Sequence, residues 1–198
     1  MTDPETVATY ESVADEYRRR HADRSGVADL VERFRSLLDD AADGPGRVLD
    51  AGCGPGWEAA TFADAGHEVL GIDLAPPFLD AAREEAPGAS FARMDMRAPG
   101  LAAGTFDGVW ACASFLHVPR EDAPATLGEF HRVLRPGGAL HVSVKRGEGT
   151  VAGDRYDRDC RRFTLYRAPE LRAYATDAGF EVTAVHTGGP WLQLFARA

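Results

Sequence analysis

Val-Leu-Asp-Ala-Gly-Cys-Gly-Pro-Gly, residues 48–56, is the stretch of sequence that decides the fold of this chain. Two apolar residues lead to an acid, three glycines follow at alternate positions, and residues 57–62 have a helical pattern. This pattern predicts a buried strand that ends at Asp50, a tight glycine turn and the first turn of a helix. Glycine has no Cβ, so a ligand can lie against the backbone of such a turn. The helix that follows presents its free N–H groups to that ligand.

The spacing of these glycines differs from that of a dinucleotide-binding loop. Such a loop has the pattern G-x-G-x-x-G, whereas residues 50–56 follow the pattern acid-x-G-x-G-x-G. This pattern resembles the nucleoside-binding loop of class I S-adenosylmethionine-dependent methyltransferases. The resemblance implies that Asp50 forms part of the pocket for the methionine end of the cofactor. It also implies cofactor contacts from the rest of the loop, at Ala51, Gly52, Cys53, Gly54 and Gly56.

Two more acids stand at or near the ends of predicted strands. Residues 67–74 are a predicted strand with Asp73 near its end, about 20 residues after the glycine loop. A carboxylate at this position can accept hydrogen bonds from both hydroxyls of a ribose. The alternative for Asp73 is a helix N-cap, and the resemblance adds Leu74 as a cofactor contact. Residues 89–96 are the third predicted strand, in which the resemblance places Asp95 at the adenine amino group, between Met94 and Met96, which pack on the ring. The alternative for Asp95 is a cap on a turn.

The fourth predicted strand, residues 105–113, leads into the segment Ser-Phe-Leu-His-Val-Pro at 114–119. This segment resembles the one that follows the fourth strand in small-molecule methyltransferases, which implies cofactor contacts from Ala111 and Cys112. His117 is the candidate general base by its position and its intrinsic pKa. The alternatives are that His117 caps or packs under the next helix, and that Cys112 is a small buried packing residue.

Residues 7–38 are predicted to form two amphipathic helices with a break near residues 25–26, and residues 39–46 a loop. The resemblance implies that residues 1–40 are a helical cap in which Tyr10 and Tyr17 border the cofactor. The alternative is that both tyrosines only pack, with their hydroxyls at the rim.

The second half of the chain has one irregular segment. Residues 123–134 and 168–180 are predicted helices, 135–138 a turn, 139–145 a strand, and 181–187 and 191–197 an antiparallel hairpin. Residues 146–169, after the predicted strand at 139–145, are a lid-like insert rich in arginine and aromatic residues. Such an insert suits a planar or anionic acceptor, and the alternative is a solvated loop with internal ion pairs. The candidate acceptor contacts are Tyr156, Arg158, Arg162 and Tyr166.

Composition narrows the function further. The chain has 198 residues, which suits one α/β domain over residues 1–198. Its net charge of −9 argues against nonspecific nucleic-acid binding. The three cysteines are far apart and suggest neither a disulfide framework nor a metal site. The polar N-terminus and the lack of a long apolar run predict a cytoplasmic protein with no membrane partner.

We therefore expect an α/β doubly wound, Rossmann-like fold with helices on both faces of a seven-stranded sheet. By resemblance the strand order is 3-2-1-4-5-7-6 with strand 7 antiparallel. The expected function is methyl transfer from S-adenosyl-L-methionine, with S-adenosyl-L-homocysteine as product, to an O, N or C atom of a small-molecule acceptor. The alternatives are a non-catalytic S-adenosylmethionine-binding protein, an RNA or protein methyltransferase, and a nicotinamide oxidoreductase.

Overall fold

A seven-stranded mixed sheet forms the centre of the computed structural model, which describes residues 3–41 and 44–198. Its strands are β1 Arg47–Ala51, β2 Glu68–Asp73, β3 Ser90–Arg93, β4 Phe106–Ala111, β5 Leu134–Lys145, β8 Glu181–Gly188 and β9 Trp191–Arg197. They lie in the order β3-β2-β1-β4-β5-β9-β8. Strands β1 to β5 pair in parallel, whereas β9 is antiparallel to both β5 and β8. The predicted strand order and the antiparallel last strand are confirmed.

Helices cover both faces of this sheet. The helices are α1 Pro4–Arg20, α2 Ala28–Ala41, α3 Trp57–Asp64, α4 Pro76–Glu85, α5 Ala123–Val133 and α6 Ala168–Asp177. Alternate residues of a strand point to opposite faces, and β1 shows the result. Val48 belongs to a buried cluster with Phe34 of α2 and Phe62 of α3. Its neighbour Leu49 belongs to a second cluster with Leu127 of α5 and Leu171 of α6.

Close approach of α2 to the sheet depends on a glycine in β4. A Cβ at Gly108 would lie 2.7 Å from Phe34 Cζ, closer than side chains tolerate. Without it, the fully buried Phe34 ring packs 5.2 Å from the Trp110 ring and 5.4 Å from the Phe62 ring, measured between centroids. This aromatic cluster fixes α2 against the centre of the sheet.

Some predicted boundaries are wrong. The turn expected at residues 135–138 lies inside β5, where the pairing with β4 shifts between Phe106 and Gly108 and Gly137 has φ of +82°. α2 continues to Ala41, into the expected loop 39–46, and residues 42–43 of that loop lie outside the described residues. β3 ends at Arg93, so the predicted cofactor contacts at 94–96 follow the strand instead of lying in it.

The insert at residues 146–169 contains a second, two-stranded sheet. Strand β6 Thr150–Ala152 pairs antiparallel with β7 Arg162–Thr164. This ribbon is joined to α1, because Arg162 N donates to Thr6 Oγ1 at 3.0 Å and Cys160 N donates to Thr9 Oγ1 at 3.3 Å. An ion pair of 2.8 Å links the Arg162 guanidinium to Asp3, at the N-terminus of α1.

The described residues were also searched for a membrane span. In ranges 3–41 and 44–198, none of the helices combines the length and the apolar character that crossing a membrane requires.

Candidate functional site

A cleft lies at the carboxyl ends of β1 to β4, between the sheet and α1. Parallel strands end at this edge of the sheet, and ligands of open α/β folds bind there. One wall is the glycine loop with the first turn of α3. The opposite wall consists of the segments that follow β2, β3 and β4. α1 covers the cleft with Thr6, Val7, Tyr10 and Tyr17. We call this space the first cleft.

The three glycines of the loop all have backbone conformations that other residues rarely adopt. Their φ angles are +79° at Gly52, +51° at Gly54 and +88° at Gly56. A Cβ at Gly56 would lie 2.8 Å from the Cβ of Ala82 in α4, so this glycine allows α3 to pack closely on α4. A Cβ at Gly54 would meet no atom within 4 Å, although Gly54 lines the first cleft. Gly54 therefore leaves its side of the cleft open to a ligand.

Asp73 fastens the glycine loop to the end of β2. Its Oδ2 accepts a hydrogen bond from Gly54 N at 3.0 Å, and its Oδ1 accepts one from Ala75 N at 2.9 Å. Burial raises the pKa of this carboxyl, while the bonds from Ala75 and Gly54 act in the opposite direction. Asp73 thus holds two backbone groups and also lines the first cleft.

An excess of acidic side chains lies behind the loop. Asp50 is 2% exposed, and its Oδ2 has no hydrogen-bond partner among the described residues. Burial raises the pKa of Asp50 well above its usual range, and the neighbouring carboxyls of Glu58 and Asp73 raise it further. Among the described residues, Arg24 is the one cation that acts on Asp50, and it forms an ion pair of 2.6 Å with Glu58. A bound cation would stabilise this end of the cleft, because it would compensate the buried negative charge.

Tyr10, His117 and Arg161 form a hydrogen-bonded chain at the edge of the first cleft. His117 Nδ1 lies 2.8 Å from the carbonyl oxygen of Arg162, so Nδ1 carries the proton and donates to that oxygen. His117 Nε2 then accepts from the Tyr10 hydroxyl at 2.8 Å. Arg161 Nη1 donates to the same hydroxyl at 3.5 Å. Burial lowers the pKa of His117 to about 4 and raises that of Tyr10 to about 12. Both side chains are therefore neutral near pH 7.

The far end of the first cleft is closed by Met94, Asp95 and Met96. The Asp95 carboxylate pairs with Arg97 at 2.5 Å and also accepts from Arg97 N at 3.0 Å. Arg97 in turn pairs with Asp122 at 2.7 Å. Asp95 therefore caps a turn and lines the cleft at the same time, so its two predicted roles are compatible.

Comparison with known proteins adds independent information. Residues 48–138 match the protein family described as a methyltransferase domain. The malonyl-[acyl-carrier protein] O-methyltransferase of Serratia marcescens is 33% identical over 150 residues, which cover 73% of this chain and 56% of that protein. The ubiquinone biosynthesis O-methyltransferase of Pseudomonas paraeruginosa is 29% identical over 195 residues, with coverage of 89% and 82%. This chain spans about half the length of several malonyl-carrier-protein methyltransferases that it matches.

A solved structure extends the likeness beyond the matched segment. The 1,6-didemethyltoxoflavin-N1-methyltransferase of Burkholderia thailandensis, crystallised with its substrate and S-adenosylhomocysteine, superimposes with a TM-score of 0.75. The two sequences are 22% identical, and the match covers 98% of this chain and 87% of that one. Residues 48–138 of this chain therefore match a methyltransferase domain, and the fold around them is that of a solved methyltransferase that binds S-adenosylhomocysteine. The glycine loop, β1 to β4 and the first half of β5 form this methyltransferase domain.

Eleven of the fifteen predicted cofactor contacts line the first cleft: Tyr10, Tyr17, Gly52, Cys53, Gly54, Asp73, Leu74, Met94, Asp95, Met96 and Cys112. The other four, Asp50, Ala51, Gly56 and Ala111, lie behind the lining. Ala51 and Ala111 are fully buried, and the Ala51 carbonyl accepts a hydrogen bond of 2.5 Å from Ser114 Oγ. These residues support the cleft wall without facing its interior.

Sequence reasoning missed several residues that line the first cleft. Trp57 and Glu58 form the first turn of α3, directly after the glycine loop, so their position in the motif was a usable signal. Arg24 and Phe78 carried no signal, because they come from the α1–α2 connection and from α4. Ser114 stood inside a quoted motif, but its bond to the Ala51 carbonyl depends on the pairing of β1 with β4.

A second cleft opens beside the first, under the ribbon of β6 and β7. Five residues line both clefts and form the boundary between them: Tyr10, Tyr17, Arg24, Cys112 and Ala113. The second cleft also has lining residues from β5, β9 and the insert. It therefore begins where the first cleft ends.

The four predicted acceptor contacts line neither cleft. Strand alternation explains why Arg162 points away from the second cleft, because its neighbours Arg161 and Phe163 line that cleft. The Arg162 side chain is instead 66% exposed and pairs with Asp3. Arg158 is exposed, and Tyr166 is fully buried in the core. Tyr156 is buried beneath the Arg161 guanidinium, whose Cζ lies 4.5 Å from the centroid of its ring. The insert thus reaches the second cleft through other residues than those predicted.

Proposed function

We propose that this chain transfers a methyl group from S-adenosylmethionine to a small-molecule acceptor. The observation that carries the proposal is the open glycine loop beside three acidic side chains that face one cation, Arg24, among the described residues. The cofactor is a cation at its sulfonium and its ammonium group, so it suits the buried charge of Asp50, Glu58 and Asp73. The match of residues 48–138 to a methyltransferase domain supports the same function.

The residues of the first cleft suit the parts of this cofactor in order. Glu58 would face the methionine end, with the carboxyl of Asp50 behind the cleft wall, and Asp73 would face the ribose. Met94 and Met96 would pack on the adenine, with Asp95 beside its amino group. When bound, the cofactor supplies an electrophilic methyl carbon on a sulfonium that is ready to leave. The protein then has to orient the acceptor and exclude water.

Two proposals about the rest of the chain follow. The α1 helix and the insert at 146–169 would act together as a cover, since Thr6 and Thr9 accept hydrogen bonds from the insert, whereas α2 packs on a face of the sheet. His117 would assist an acceptor that must lose a proton. Both of its ring nitrogens are already hydrogen-bonded, so His117 would act through the hydroxyl of Tyr10, which lines both clefts.

A small acceptor is favoured over RNA by the net charge of −9.

Calorimetry of cofactor binding tests this function. The wild-type protein is expected to bind S-adenosylhomocysteine and not NAD. Asp50→Asn keeps the size of the side chain and removes its charge, so it should weaken S-adenosylmethionine binding by about tenfold or more. Asp64→Asn, at an exposed position of α3, is the matched control and should bind as the wild type does. Binding of NAD without S-adenosylhomocysteine would refute the proposal.

Turnover distinguishes an enzyme from a binding protein. Incubation with S-adenosylmethionine and a panel of small metabolites should release S-adenosylhomocysteine with at least one of them. Release only with RNA or protein acceptors would contradict the small-molecule assignment. No release with any acceptor, despite cofactor binding, would favour the non-catalytic alternative.

A further inference from the structure

The second cleft carries more positive than negative charge, although the chain as a whole has a net charge of −9. Its lining contains four cationic side chains, Arg24, Lys145, Arg155 and Arg161, against one acid, Asp154. Two of these cations already form ion pairs of 2.6 Å, Arg24 with Glu58 and Arg161 with Asp159, and neither acid lines the second cleft. Lys145 and Arg155 make no ion pair with another residue in ranges 3–41 and 44–198. The cleft therefore presents two cations that are available to a ligand.

Lys145 is the more informative of the two. It is the only lysine in the sequence and the last residue of β5. Its Nζ lies 3.9 Å from the centroid of the Phe163 ring. Burial lowers the pKa of Lys145, and the positive charges of Arg155 and Arg161 lower it further. The nearby acids Asp154 and Asp159 only partly oppose this effect. The field at Nζ is therefore positive, and a bound anion would relieve it.

The remaining walls of the second cleft suit a flat or apolar ligand body. Leu30, Leu116, Phe163 and Trp191 supply apolar and aromatic surface from four different parts of the chain. The amide of Gln193 also lines the cleft, and its Oε1 is buried without a hydrogen-bond partner among the described residues. A buried polar atom without a partner costs free energy, which a ligand hydrogen bond would recover. Apolar walls with a few convergent polar groups are typical of small-molecule sites.

We propose that the second cleft is the acceptor site and that it takes a small organic oxyanion, a carboxylate or a phenolate, beside Lys145 and Arg155. This inference rests on the proposed function, because an acceptor in the second cleft needs the methyl donor in the first. The shared boundary at Tyr10 and Cys112 is where the two would meet. The oxyanion forms a C–O bond as the C–S bond breaks, and the electron pair of that bond stays on sulfur. Charge balances without loss of a proton, so this acceptor needs no general base.

The single lysine allows a direct test of ligand binding that needs no turnover. Reductive methylation with ¹³C-formaldehyde labels the Lys145 amine and the N-terminal amine only, and it preserves the positive charge. The labelled protein, saturated with S-adenosylhomocysteine, is titrated with benzoate and with 4-nitrophenolate, and in parallel with the uncharged benzamide and nitrobenzene. We expect the oxyanions to shift the Lys145 signal saturably and to raise the pKa of its amine. The uncharged compounds should bind about tenfold more weakly or not at all. The tighter of the two oxyanions shows whether the cleft prefers a carboxylate or a phenolate.

Three variants separate a specific contact from a general effect of charge. Lys145→Met should lower benzoate affinity, measured by calorimetry, about tenfold, and Lys145→Arg should restore most of it. Arg146→Met is the matched control: its side chain is exposed, neighbours Lys145 and lines neither cleft. It should bind benzoate as the wild type does.

The outcomes distinguish this inference from the proposed function. Equal binding of benzoate and benzamide, equal losses in Lys145→Met and Arg146→Met, or no response to any oxyanion would overturn the oxyanion assignment. If S-adenosylhomocysteine binds normally in that case, the proposed function still stands. Failure of the wild type to bind S-adenosylhomocysteine would instead refute the proposed function. If Lys145→Met does not fold, the labelled wild type and Lys145→Arg still give a decision.

Discussion

Three glycine-to-alanine variants can separate the steric and the ligand-binding roles of the glycine loop. Gly54, Gly56 and Gly66 have φ angles of +51°, +88° and +93°. A left-handed backbone costs a non-glycine residue about 1–2 kcal/mol, so all three variants should lose at least this much stability. The Cβ of Gly56→Ala would also lie 2.8 Å from the Ala82 Cβ and 2.9 Å from its Cα. This overpacking adds about 1–3 kcal/mol, so Gly56→Ala should lose about 2–5 kcal/mol in all.

Ligand affinity should follow a different order from stability. A Cβ at Gly54 or at Gly66 meets no atom within 4 Å, so neither variant has a steric cost within the protein. Gly54 lines the first cleft, whereas Gly66 lies beyond the C-terminus of α3. The methyl group of Gly54→Ala would stand where the cofactor is expected, and S-adenosylhomocysteine affinity should fall about tenfold or more. Gly66→Ala should bind as the wild type does.

Urea unfolding followed by circular dichroism measures the first effect, and calorimetry with S-adenosylhomocysteine measures the second. Gly66→Ala is the control in both assays, because it carries the backbone cost alone. The packing argument is wrong if Gly56→Ala is no less stable than Gly66→Ala. The assignment of the first cleft to the cofactor is wrong if Gly54→Ala binds S-adenosylhomocysteine with wild-type affinity.

Two further predictions concern pH. His117 should remain neutral from about pH 5 to 8, because burial lowers its pKa to about 4; a ring-proton resonance with a midpoint near the usual value of about 6.5 would contradict this. Its contribution to stability is present above about pH 6.5 and is lost as the pH falls toward its folded pKa, so His117→Gln should be less sensitive to pH in this window. Arg161 holds the pKa of Asp159 well below its usual range, so the stability from this pair is present above about pH 4 and lost in stronger acid. In urea unfolding, Asp159→Asn should lower the free energy of unfolding by about 3–5 kcal/mol at neutral pH and by less at low pH. Asp157→Asn, at an exposed position, is the control and should leave the stability unchanged. Equal losses for Asp159→Asn at both pH values would refute the pairing argument.

The central sheet was predictable because its signals are local. The apolar residues of β1, β2 and β4 are bounded by glycine or an acid, and the Gly-Gly-Pro at 188–190 marks the last hairpin. The ribbon of β6 and β7 gave no such signal. Its paired residues lie 10 to 14 positions apart along a charged segment, and β7 is held by contacts with α1 and with β5 of the sheet. Tertiary contacts decide such short strands more than propensity does.

The lining of the first cleft was predictable in the same way, and that of the second cleft was not. Gly54, Asp73 and Asp95 belong to motifs that keep their order along the chain, and each of them lines the first cleft. The second cleft instead joins Lys145 at the end of β5 with Gln193 in β9, and neither residue has a motif around it. Lys145 and Gln193 are neighbours only because β9 lies between β5 and β8 in the sheet.

Tyr10 connects the first cleft with the second cleft and with the insert at 146–169. Its hydroxyl donates to His117 and accepts from Arg161, and its ring lines both clefts. The carbonyl oxygen of Arg162 accepts a hydrogen bond from the other ring nitrogen of His117. Both partners of the Tyr10 hydroxyl, His117 and Arg161, are therefore held by residues 161–162. Opening the ribbon would break these bonds together, and the boundary between the clefts would then lose its fixed geometry. A ligand in the second cleft would therefore stabilise the same arrangement that shapes the first cleft, because both clefts share the Tyr10 side chain.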